Sequence, residues 1–271
     1  MNTYERDMKK TIGLAVMIMA ISIGMVYLPT PSILIHKVGE QNAIYIKEIM
    51  LQTTIGMILC RLHRRWNLQQ VMGLRVIGQK IYLVWPAFFY IGLNAWDLLC
   101  GQIQIDYSRG IMLLLFCGAN FAVGFFEESL CRGMVLGLFY QRFGASKMGV
   151  YKAVIGSSIL FGSAHMIHYC LGHSSFIATI TQVIYATFIG VFMGAITIRT
   201  KSLLPAVIFH GMIDLSGSLD EVSIGGGISH AYGTMSIEVA VIMIILLFPL
   251  FLYGIFLLRN TSYKVKDNNE I

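Results

Sequence analysis

The chain has 271 residues, 56% of them hydrophobic and only 13% charged, with a mean hydropathy of +0.70. Soluble domains carry roughly 25% charged residues, so a soluble globular protein is excluded, whereas the length suffices for six to eight membrane spans of about 20 residues each. The formal charge of +6 does not indicate nucleic acid, because the basic residues fall into membrane-flanking loops and not onto one surface. The five Cys (Cys60, Cys100, Cys117, Cys131 and Cys170) form no CxxC pair and no disulfide framework. Their apolar neighbours make them small packing residues.

In chain order, hydropathy predicts helices over 11–28, 43–60, 81–99, 110–140, 152–171, 176–198, 203–218 and 235–258. The first follows a basic start (Arg6, Lys9, Lys10) but lacks an A-x-A-like cleavage site and leads into further spans, so it reads as a retained helix. The seventh is short and holds His210, Asp214 and Ser216. Charge placement decides in its favour. With the N-terminus in the cytoplasm, the cytoplasmic segments hold Arg6, Lys9 and Lys10, then Arg61, Arg64, Arg65, Arg75 and Lys80. Further along they hold Arg142, Lys147 and Lys152, then Arg199 and Lys201, and finally Arg259, Lys264 and Lys266. These are 16 of the 20 Lys and Arg, against only Lys37 and Arg109 in the outer loops. The positive-inside rule therefore predicts an all-α polytopic protein of eight transmembrane helices in the cell membrane, both termini cytoplasmic. Three regions follow: an N-terminal three-helix region (1–109), a core (110–218), and the last outer loop, final helix and tail (219–271). The outer loop 219–234 contains Gly225, Gly226 and Gly227 and is predicted to be flexible.

Ionisable groups inside spans are costly and usually functional. Lys47, Glu48 and Asp97 lie near outer span ends and read as interfacial, and His168 and His173, also near an outer end, carry little weight. Three clusters lie deeper. Glu127, Glu128 and Arg132 share the fourth helix, His165 is on the fifth, and His210 and Asp214 stand i,i+4 on the seventh. At about 100° per residue, Arg132 lies about 40° from Glu128 and about 140° from Glu127, so it pairs with Glu128. Glu127 is left to meet a metal, a water or another helix. At a rise of about 1.5 Å per residue, Glu127 and His165 lie roughly 20 Å from the cytoplasmic ends and His210 roughly 10 Å, which predicts one cavity biased toward the cytoplasmic half. The pairs Gly190/Gly194 and Gly133/Gly137 are GxxxG spacings that signify close helix packing.

The motifs Glu127-Glu128-x-x-x-Arg132, Phe161-x-x-x-His165 and His210-x-x-x-Asp214, in that order on late helices, resemble the CPBP family of CAAX-processing and bacteriocin-processing (Abi) intramembrane proteases. The resemblance covers roughly 110–215. It implies a type II CAAX prenyl endopeptidase-like fold in which Glu127 and His165 activate the attacking water. His210 and Asp214 would stabilise the oxyanion or orient the carbonyl, and Glu128 and Arg132 would support the site. Position 131, often aromatic in that family, is Cys here.

Peptide hydrolysis needs a base for water and donors aimed at the oxyanion. One Glu and two His (Glu127, His165, His210) also match a three-ligand catalytic zinc set, and the H-E-x-x-H signature is absent. Spacing does not choose between one divalent metal such as zinc and no metal. The leading reading is an endopeptidase acting on a peptide or membrane-protein substrate in the bilayer, in bacteriocin or pheromone maturation or self-immunity, with no nucleic acid involved. A non-catalytic immunity protein that binds a peptide is the second reading. A small transporter with a proton relay is the third, and it calls for repeated halves and broken helices, neither of which the sequence displays. Oligomeric state has no sequence signal.

Overall fold

The computed structural model describes residues 3–68, 73, 80–227, 233–259 and 261. Arg75, Lys264 and Lys266 of the charge pattern lie outside the described residues, as do the Arg6 side chain and positions 228–232 of the last outer loop. Among the described residues there are helices and no strands, with two isolated backbone bridges, Gly73 to Ser202 and Ile105 to Ser223.

The helices are α1 (Thr3–Val26), α2 (Ser32–Val38), α3 (Glu40–Arg65), α4 (Trp85–Asn94), α5 (Trp96–Leu99), α6 (Gly110–Glu128), α7 (Leu136–Phe143), α8 (Lys147–Ala164), α9 (Met166–Cys170), α10 (Phe176–Thr200), α11 (Leu204–Gly217) and α12 (Ile237–Leu258). Local chemistry fixes several ends. Ser146, Ser175 and Ser236 cap α8, α10 and α12 by accepting the backbone N–H three residues on. Pro205 sits in the first turn of α11, where its missing N–H costs nothing. Six of the eight expected segments are helices long and apolar enough to cross a membrane, while Ile81–Asn94 and Leu204–Gly217 are apolar but shorter.

Three features differ from the hydropathy reading. The third and fifth segments are each interrupted by one residue, Ala95 between α4 and α5 and His165 between α8 and α9, so broken helices do occur. The fourth segment is one long helix whose middle, Ser129–Val135, widens into a π-helical turn. A short helix, α2, lies in the connection between α1 and α3.

Helix α6 packs between α3 and α11, and α10 packs between α8 and α12. Glycine permits the approach of α6 and α11. A Cβ on Gly124 would lie 2.7 Å from the Gly211 backbone nitrogen and 3.0 Å from the Val207 carbonyl oxygen, and one on Gly211 would lie 2.6 Å from Phe121. The Gly190/Gly194 spacing has the close-packing role expected of it: their Cβ atoms would meet Ser158 at 2.9 Å and Val154 at 3.1 Å on α8.

Both ends of the short α11 are tied down. At its start, Leu203 donates its N–H to the Gly73 carbonyl at 3.0 Å. Beyond its end, the Tyr45 hydroxyl donates to Glu221 at 2.7 Å and Gln41 Nε2 donates to the Glu221 carbonyl at 3.1 Å. Burial pushes the Glu221 carboxyl above the usual carboxylate range, against the Tyr45 hydrogen bond that lowers it. The segments 104–106 and 222–224 exchange backbone hydrogen bonds beside it, Asp106 N–H to Val222 O and Ile224 N–H to Gln104 O. The first part of the loop expected to be flexible is therefore anchored. Hydrogen bonds from Ser108 and then Arg109 hold the Asp106 carboxyl below its usual range.

The glycine contact yields a paired expectation. Gly124→Ala presses a methyl against backbone that has no room to yield, and should destabilise the fold by about 1–3 kcal/mol. Gly24→Ala in α1, where a Cβ meets nothing within 4 Å, should be neutral or stabilising by up to about 1 kcal/mol. Thermal unfolding of the two variants in detergent compares them, and equal midpoints would contradict the close α6–α11 contact.

Candidate active site

The site is assembled from the end of α6, the π-helical turn that follows it, the α8–α9 break and the middle of α11. Glu128 Oε1 lies 2.7 Å from Arg132 Nη1, the i,i+4 pair expected from the sequence. The same oxygen lies 2.7 Å from His210 Nδ1 on α11, a contact the sequence did not indicate. Glu128 is 0% and Arg132 3% exposed, whereas Glu127 and Asp214 keep 25% and 30% of their side-chain surface. The first pair is thus a closed structural unit, and the second two carboxyls are the ones accessible to water or substrate.

His210 joins the two groups. With Nδ1 held at Glu128, its Nε2 faces Glu127 Oε2 at 3.4 Å and Asp214 Oδ2 at 3.5 Å. Glu127 therefore has its titratable neighbour on α11, and no hydrogen bond or ion pair joins it to His165 among the described residues. Phe161 explains the spacing of its motif. Its ring lies 4.6 Å from the Arg132 guanidinium carbon, 5.2 Å from the His165 ring and 6.2 Å from the His210 ring, the latter two edge-on. A ring face on a buried guanidinium is a favourable cation–π contact.

Glu127 and His165 open into one cavity of about 180 Å³, together with Cys131 and Phe161. Cys131, i,i+4 from Glu127, shares that lining. Helix α1 supplies another wall through Met19, Ile23, Val26 and Tyr27, positions that share one helical face. His168 also lines it; its ring lies 5.9 Å from that of His165, and its Nδ1 is 3.5 Å from the Tyr27 hydroxyl. Three expectations change here, the first being that His210 and Asp214 stand beside Glu127 without lining the cavity. His168 belongs to the cavity despite its place near a span end, and the His165-x-x-His168 spacing was the available signal. The cavity is lined by the ends of α1 and α8 remote from Lys9, Lys10, Lys147 and Lys152, so it is not biased toward the basic side.

The expected metal set is not gathered as such. His210 approaches Glu127, but among the described residues no three His, Cys, Asp or Glu side chains are arranged to hold a metal ion.

Residues 109–216 match the family model of the Rce1-like proteins, type II CAAX prenyl endopeptidase Rce1-like. The matched stretch holds all six charged or histidine side chains singled out from the sequence. No curated protein and no solved structure matches the chain.

The buried pair makes its own prediction. Removing the cation by Arg132→Ala leaves the Glu128 carboxylate in a closed site with only His210 beside it, and breaking such a buried pair costs about 3–5 kcal/mol. The yield of monodisperse protein in detergent and its thermal midpoint should both fall. An Arg132→Ala protein as stable as the wild type would contradict the pair.

Proposed function

We propose that the protein is an intramembrane endopeptidase of the CAAX type, the family whose model residues 109–216 match, and that it hydrolyses a peptide bond of a membrane-associated substrate. The observation that carries this reading is the shared cavity of Glu127 and His165, with His210 held beside Glu127 by a buried partner. We place it in the cell membrane as an eight-helix protein with both termini cytoplasmic, on the strength of the basic residues that flank the helices.

In this mechanism Glu127, with a quarter of its side chain accessible, takes a proton from a cavity water as the water oxygen attacks the carbonyl carbon. His165, on the same lining, orients that water. The tetrahedral oxyanion faces His210 Nε2, whose direction is fixed because Nδ1 is engaged by Glu128. Asp214 lies 3.5 Å from the same Nε2 and, with Glu127 at 3.4 Å, flanks the position the oxyanion takes. The C–N bond then breaks, and Glu127 returns its proton to the departing amine nitrogen. No atom is gained or lost beyond the water consumed.

The experiment is a digest of a peptide library by the full chain in lipid nanodiscs, read by mass spectrometry. Glu127→Gln and His165→Ala should each lower the cleavage rate about 10²–10⁴-fold while folded yield stays near that of the wild type. Cleavage that persists in a chelator agrees with a glutamate-activated water. Loss in chelator with recovery on adding zinc would instead place a metal in the site. Unchanged cleavage by both variants would remove the mechanism.

A further inference from the structure

The cavity beside Glu127 has an apolar wall that the hydrolytic chemistry does not use. Met19, Ile23 and Val26 of α1, with Phe126, Leu130 and Ile167, line it alongside Glu127 and His165. Water activation needs polar neighbours, so an apolar lining at this place signals an apolar occupant next to the reacting bond. Size narrows the occupant. At about 180 Å³ the cavity resembles the engineered apolar cavities of about 150 Å³ that admit a benzene ring. It is smaller than the pockets of about 300–1,000 Å³ that enclose drug-sized molecules. A Leu, Met or Phe side chain fits the first class, whereas an isoprenoid chain of farnesyl length belongs to the second.

We propose, resting on the endopeptidase reading, that the residue flanking the scissile bond is a single large apolar side chain seated in this cavity, and that α1 sets the preference. Helix α1 lies outside the matched segment 109–216. The hydrolytic groups and the selectivity wall therefore come from different parts of the chain. Only one face of α1 is engaged. Met19 is 4% exposed on the cavity side, whereas Met17 and Ile21 on the outer side are 53% and 58% exposed. The wall can accordingly be resized with little disturbance of other helices. In a hydrophobic pocket, one methylene more or less changes kcat/KM by about 10–200-fold.

The test uses the full chain in lipid nanodiscs. Cleavage positions are first mapped with a random peptide library. Peptides that differ only at the residue flanking the cut (Gly, Ala, Leu, Phe or prenylated Cys) are then compared by kcat/KM. We expect Leu and Phe to be cut at least tenfold better than Gly, Ala or prenylated Cys. Ile23→Trp, which fills the cavity, should move the preference toward Ala by at least tenfold, and Met19→Ala should move it toward Phe. The two variants change volume in opposite directions, so a folding failure in one leaves the other informative. An enzyme that cuts peptides without regard to that residue, or best at prenylated Cys, overturns the inference and leaves the endopeptidase reading intact. So does a preference that neither α1 variant moves. Failure of the wild type to cut any peptide removes both.

Discussion

The site depends on one oxygen atom. Glu128 Oε1 is shared by Arg132 from its own helix and His210 from α11, each at 2.7 Å, in a side chain with no exposed surface. A carboxylate at such a place is strongly unfavourable unless paired and hydrogen-bonded, so both contacts must be made together. Arg132 fixes where the carboxylate points, and the carboxylate fixes the imidazole. A histidine held through one nitrogen presents the other in a set direction, and here that direction is toward Glu127 and Asp214. The arrangement of the accessible carboxyls thus follows from a pair that no solvent reaches.

That contact needs α6 and α11 to lie close, and the backbone sequence supplies the means. Gly124 precedes Glu128 by one turn and Gly211 follows His210 directly, and each would collide with the opposite helix if it carried a Cβ. The π-helical turn Ser129–Val135 begins immediately after Glu128, and all seven of its residues are buried. Single π-turns within α-helices occur frequently at functional sites. Here the turn carries Cys131 to the cavity and Arg132 to Glu128 and Phe161.

Much of this was legible in the sequence because it rests on local periodicity. The Glu128–Arg132 pair is an i,i+4 relation, as is Glu127 with Cys131, and both survive the change of helix pitch. The hydropathic segments and their order also followed from composition. Contacts between distant segments were not legible. Nothing in the spacing tells His210 to engage Glu128 as well as Glu127, since that choice depends on how closely two glycine-bearing helices approach. Nor does hydropathy show that α1 contributes a cavity wall, because Met19, Ile23 and Val26 look like any apolar residues of a span. The breaks at Ala95 and His165 occur without proline or glycine at the break, which leaves no local signal to read.

The short seventh segment completes the physical account. At about 1.5 Å per residue its 14 residues extend only about 21 Å, less than the roughly 30 Å hydrocarbon thickness of a bilayer. It also carries His210 and Asp214, whose burial opposes insertion. Apolar burial alone would hold such a helix poorly in depth. The protein anchors it through its flanks, with Leu203 bonded to Gly73 at one end and Glu221 bonded to Tyr45 and Gln41 at the other. Tyr45 and Gln41 lie on α3, which also packs against α6. The helix that carries Glu128 and the flank that fixes His210 are therefore referred to the same neighbour. A 2.7 Å contact between groups 82 residues apart requires such a common frame, because a sub-ångström slip of α11 along its axis would break it.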